Sequence, residues 1–134
     1  MKQYFVDSNV FIGFFSKEDK KHRAAAASLF QKAKDGKIAL FCGPPVFFEV
    51  AWVLKSFYKM PLAAILDTLE SILSIPNFKV LDSDSVTGAI ALARKTGCGF
   101  ADSYIAAFSQ KNNMGIATFN VRHFKKLGTE LYTF

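Results

Sequence analysis

Short β-rich apolar runs alternate with longer stretches of helical spacing, and this alternation limits the fold more than any other feature of the chain. "QYFVD", "IALFC", "FKVLD" and "GIATF" are each five residues long and rich in β-branched, aromatic or aliphatic side chains, which reads as buried strands. Between them lie "KEDKKHRAAAASLFQKAKDGK", "VFFEVAWVLKSFY", "LAAILDTLESILS", "SDSVTGAIALARKTG" and "FADSYIAAFSQKNN", all readable as helices. In the third of these, Leu62, Ile65, Leu66, Leu69, Ile72 and Leu73 fall on one face. Asp35-Gly36 is a stop signal, and Pro45 can open a helix at its first position. "SNVFIGFFSK" turns into a short helix that Ser8 or Asn9 is suited to cap, and "ELYTF" reads as a last edge strand. Strands alternating with helices predict an α/β fold, with a mostly parallel sheet and helices on both faces. In such open sheets, sites form in the crevice beyond the carboxyl ends of the strands. Asp7, ending the first strand, is expected at that edge.

The 134 residues suffice for one domain over 1–134 with a core that needs no staples. An apolar content of 51%, including 15 Phe, excludes a disordered chain. "IALFCGPPVFFEVAWVL" is apolar enough to raise a membrane span, but its Pro pair and Glu49 favour strand, turn and buried helix. Asp7 interrupts the one candidate for a secretory apolar region, and Cys42 and Cys98 show no CxxC spacing. A soluble cytoplasmic protein with free thiols is the expectation. The net charge of +6 fits either ordinary solubility or attraction to nucleic acid, and charge alone does not separate them.

The eleven acids sort into two groups. Glu18 and Asp19 sit among lysines, Asp35 in a helix-ending turn, and Asp67 and Glu70 on a polar helix face. Asp82 and Asp84 alternate with serines before a helix, and Glu130 lies among exposed-looking residues. Ordinary surface and capping roles cover all eight. Asp7, Glu49 and Asp102 remain, each the sole charge of a long apolar stretch and so expected to be partly buried. Desolvating a carboxylate is expensive. Either each pairs with its own Lys or Arg or caps a helix, or the three converge and share a cation. Three oxygen ligands select Mg²⁺ or Mn²⁺ over zinc. His22 and His123 lie far apart among basic residues and offer no competing cluster.

"FVDSNVFIGFF", a Glu on an apolar helix after "PP", and "FADSYIAAFSQKNNMGIATFNVRHF" together resemble PIN-domain ribonucleases, most closely the VapC-type toxins of toxin–antitoxin pairs. The resemblance spans essentially the whole chain. It implies a three-layer α/β/α fold and Mg²⁺- or Mn²⁺-dependent cleavage of RNA, with Asp7, Glu49 and Asp102 as catalytic metal ligands. It also implies a homodimer and inhibition by a cognate antitoxin protein. Where many relatives carry a fourth acid, this chain has Asn120, which bears on a second metal more than on cleavage.

Ser8, Asn9, Thr118 and Asn120 are expected at strand ends beside the acids, either orienting ligands or capping helices. Lys17, Lys20, Lys21 and Arg23, with Arg122, Lys125 and Lys126, either line an RNA groove or form solvated surface. Phe47, Phe48, Phe57 and Phe108 sit at helical spacings that favour core. An aspartyl-phosphate phosphatase fits poorly, since it wants a second Asp where Asn9 stands. A phospho-receiver domain lacks its acidic pair. The remaining alternative is a non-catalytic PIN domain that binds RNA or a protein.

Overall fold

A computed structural model describes residues 1–134 of the chain. Three parallel strands, β1 (Lys2–Phe5), β2 (Ile38–Cys42) and β3 (Phe78–Val80), form one sheet in the order β1-β2-β3. Lys2 lies opposite Ile38, and Leu40 opposite Phe78. Pairing runs slightly past the strand ends: Val6 N–H donates to the Phe41 carbonyl and Leu81 N–H to that of Cys42, both at 2.8 Å. Because all three strands run the same way, their carboxyl ends share one edge. At that edge begin α1 (Ser8–Phe15), α3 (Pro44–Ser56) and α5 (Ser83–Thr96). The remaining helices are α2 (Lys20–Lys34), α4 (Leu62–Leu73), α6 (Phe100–Lys111) and α7 (Val121–Lys126).

Local chemistry explains most boundaries. Asp19 caps α2 by accepting from His22 N–H at 3.0 Å. Pro44 and Pro45 occupy the first positions of α3, where missing N–H groups cost nothing. Gly97 ends α5 at φ 78°, a conformation that a Cβ disfavours. The stripe on α4 is realised, with Ile65, Leu66, Leu69 and Ile72 buried. None of the helices is long and apolar enough to cross a membrane.

The core has two parts. Twenty buried residues, among them Phe11, Leu40, Phe47 and Leu69, form the larger cluster. Phe11 stacks on Phe30 at 5.8 Å and meets Phe78 at 5.6 Å, joining α1, α2 and β3. A smaller cluster of Cys98, Ala106, Ile116, Phe124 and Leu127 lies under the C-terminal segment. Helix α6 belongs to both: Phe100 meets Phe48 of α3 at 5.6 Å, while Ala106 enters the smaller cluster. Cys42 and Cys98 are free and buried, and desolvation pushes the Cys42 thiol up to about 12.

Three expectations are corrected. Strand β1 is exposed over Lys2–Phe5, and burial begins only at Val6. It lies at the edge of the sheet and pairs with β2 alone. "GIATF" and "ELYTF" are not sheet strands: Ile116 and Leu131 form an isolated parallel bridge. The turn in which Thr118 Oγ1 accepts from Asn120 N–H at 2.9 Å diverts the chain into α7 before a ladder can grow. Of the four phenylalanines assigned to the core, Phe47 is fully buried, but Phe57 is 71% and Phe108 38% exposed. Phe57 lies just beyond the end of α3, where it packs edge-on against the exposed Trp52 at 5.7 Å.

Candidate active site

Asp7 follows the end of β1 and is the N-cap of α1, its Oδ2 accepting from Asn9 N–H at 3.3 Å. The sequence favoured Ser8 or Asn9 for that role. Ser8 instead turns inward, 1% exposed, and its Oγ has no hydrogen-bond partner. Glu49 stands on the second turn of α3, one residue beyond Phe48, and Asp102 in the first turn of α6. The contact of Phe48 with Phe100 packs those two turns against each other. Ser103, directly after Asp102, repeats the behaviour of Ser8: fully buried, with an unpartnered Oγ.

The expectation of partial burial holds for Asp102 alone, whose side chain is 32% exposed. Asp7 and Glu49 are exposed. Their apolar sequence neighbours point into the core, whereas the acids sit at the open carboxyl edge and on the outer side of α3. None of the three carboxylates has a Lys or Arg within ion-pair distance. The two Lys or Arg residues that do form ion pairs, Arg94 and Lys111, serve other acids. Arg94 spans Asp67 at 2.8 Å and Glu70 at 2.7 Å, and Lys111 lies 3.4 Å from Asp82.

Asp102 does have one partner, and the sequence reading missed it. His123 Nδ1 of α7 stands 3.2 Å from Asp102 Oδ2 and 3.1 Å from the Asn120 amide nitrogen. A bare ring nitrogen facing a carboxylate oxygen is repulsive, so Nδ1 carries the proton and donates to Asp102. With that tautomer the Asn120 amide presents its oxygen to the ring and shares the single Nδ1–H proton with Asp102. Asp102 Oδ2 is thereby engaged, while Oδ1 makes no hydrogen bond. The available signal was the spacing of Asn120 and His123, three apart at the start of α7 and hence on one face. Thr118 acts within this turn through the backbone of Asn120.

Asp82, read as a cap, does more. Its left-handed backbone (φ 54°) opens α5, and its carboxylate accepts from Tyr104 Oη at 2.6 Å and Ser85 Oγ at 2.9 Å. The Tyr104 hydrogen bond, foremost, holds the Asp82 carboxyl below its ordinary value. Tyr104 is raised to about 12, first by desolvation and then by that bond. This pair ties the start of α5 to α6. Of the basic residues, Lys20 and Lys21 line an open groove with Asn9, while Arg122, Lys125 and Lys126 sit exposed on α7.

Residues 4–130 match the PIN domain. This chain belongs to the PIN domain family. A comparison with curated proteins found no match for it. PIN domains are generally nuclease-like and usually use divalent metal ions. The donors fit such an ion in chemistry: three carboxylates free of Lys and Arg, and two buried hydroxyls without partners beside two of them. They do not stand as a closed cage, because no three His, Cys, Asp or Glu side chains converge closely enough to hold a metal.

Proposed function

We propose that this PIN domain is a metal-dependent ribonuclease that hydrolyses RNA phosphodiester bonds through Asp7, Glu49 and Asp102. One observation carries the reading: Asp7 and Glu49 lie on helices that start at the carboxyl edge of a parallel sheet, Asp102 lies on a helix packed against the second of these, and none of the three is neutralised by Lys or Arg. Left alone, such a set would repel a phosphate. A bound Mg²⁺ or Mn²⁺ would supply Lewis-acid polarisation and a more acidic water.

The chain's own residues hold and orient. Glu49, exposed and unpaired, is free to turn inward. Asp102 keeps Oδ2 on His123, which leaves Oδ1 to take a ligand or to orient water. Asp7 offers its remaining oxygen from the α1 cap. Attack of water at phosphorus breaks one P–O ester bond and leaves a phosphate monoester and a hydroxyl. His22 sits on Asp19 and His123 on Asp102, so the two histidines do not form an acid–base pair for the 2′-OH route, and a 2′,3′-cyclic phosphate product contradicts the proposal.

The toxin role, a cognate antitoxin, a homodimer and a cytoplasmic setting extend this reading. An apolar cavity of about 310 Å³ lined by Phe48, Trp52, Met60 and Ile65 supports a protein partner. The open donor arrangement favours a second reading, a PIN domain that binds RNA without cutting it. Purified protein with structured RNA separates the two: cleavage that needs Mg²⁺ or Mn²⁺ and fails in Asp7→Asn supports the nuclease. Binding without cutting, with either metal, supports the alternative.

A further inference from the structure

Outside the acids, the most unusual surface is aromatic. Phe119, Tyr132 and Phe134 are 86%, 63% and 70% exposed. They are in contact with one another: Phe119 and Phe134 stack at 4.6 Å with 26° between the rings, and Tyr132 meets Phe134 edge-on at 5.0 Å. The result is a two-ring stack, open to water, whose outer Phe119 face is available to a further ring, with Tyr132 edge-on against Phe134. Water-exposed aromatic area of this kind marks a contact site.

Its surroundings identify the occupant. Phe119 directly precedes Asn120, whose side chain touches His123, which touches Asp102. Arg122, Lys125 and Lys126 follow on α7, all exposed and none in an ion pair. From Met114 to Thr129 there is no acid to offset them. The core of a protein–protein interface is depleted of charge, whereas flat aromatics among unpaired cations are the combination that holds a single nucleic-acid strand.

We infer that Phe119, with Phe134 and Tyr132, is a stacking platform for an unpaired nucleobase of the RNA, placed one residue from the Asn120–His123–Asp102 contact. This rests on the ribonuclease reading for its substrate class. The platform selects single-stranded segments, since bases inside a duplex are already stacked and cannot present a free face. Arg122 and Lys125 hold the flanking phosphates.

The test measures binding, not cleavage. Fluorescence anisotropy of labelled oligo(A) is recorded on full-length Asp7→Asn protein, alone and carrying Phe119→Ala, Phe119→Leu or Phe119→Trp. A blunt RNA duplex serves as the second probe. Alanine and leucine are expected to weaken single-strand binding about tenfold, and tryptophan to restore it. Duplex binding is expected to stay within twofold. Leucine keeps the apolar contact while removing the ring, so a packing role would spare it. Equal losses on both probes, or none, overturn the inference. A changed sedimentation profile with unchanged RNA affinity overturns it too, and assigns the patch to a protein contact. Stacking without cleavage by the parent protein removes the nuclease reading and keeps the platform; cleavage with unaffected binding does the reverse.

Discussion

His123 and Asp102, which are 21 positions apart, meet through a 3.2 Å contact between Nδ1 and Oδ2. It fixes the rotamer of a carboxylate that is one-third exposed and leaves the other oxygen without a hydrogen bond. A histidine that looked like one more basic surface residue thus becomes the partner of a candidate ligand.

Replacing His123 with Ala should lower cleavage and metal affinity by about 10–100-fold, the usual cost of releasing a ligand from its outer contact. His123→Asn, which can still donate, should recover part of the loss. The urea midpoint should hardly move, because His123 is 53% exposed. Unchanged metal binding by calorimetry in His123→Ala would remove this role.

Divalent ions should stabilise the fold if the acids hold one. Mg²⁺ or Mn²⁺ at one hundred times its dissociation constant should add about 2.7 kcal/mol, read as a rise in melting temperature. Asp7→Asn and Asp102→Asn should each reduce that rise. The same rise in all three proteins would place the ion elsewhere.

The Tyr104–Asp82 bond predicts a bounded pH range of stability. The Asp82 carboxyl is held below its unfolded value, so its contribution is present above about pH 4 and fades as pH falls through the lowered value. Tyr104 is raised to about 12. Its contribution is full below about pH 10 and is lost as pH climbs through 12. Tyr104→Phe should cost about 1–3 kcal/mol near neutrality and flatten both limbs in urea titrations. Parallel pH curves for the two proteins would contradict the assignment.

Phe47→Ala should cost about 3–5 kcal/mol, because this side chain is fully buried in the larger cluster and touches Phe100. Phe57→Ala, at a ring 71% exposed, should cost under about 0.5 kcal/mol. Chemical denaturation of both variants checks the contrast. Comparable losses would show that Phe57 is covered in solution.

Much of the fold was legible in the chain. Periodicity marked β2, β3 and the major helices, because a buried face leaves its repeat in the sequence. Asp35-Gly36, Pro44-Pro45 and Gly97 punctuated them. The isolation of Asp7, Glu49 and Asp102 among apolar residues singled them out among eleven acids. Burial was misjudged for two of them. An apolar neighbourhood in sequence says which way the neighbours point, not which way the acid does. "GIATF" has the composition of a strand, yet the turn at Thr118 and Asn120 leaves it a single bridge to Leu131.

The sequence by itself determined the α/β class, the cores of most elements and the set of acids to examine, because these depend on local periodicity and composition. Only the tertiary structure decided that Asp102 meets His123, that Asp82 meets Tyr104, and that Phe119, Tyr132 and Phe134 gather in the open. Each of these joins residues from separate stretches of the chain. Such contacts are set by how distant segments of the chain pack together, and no local spacing encodes that packing.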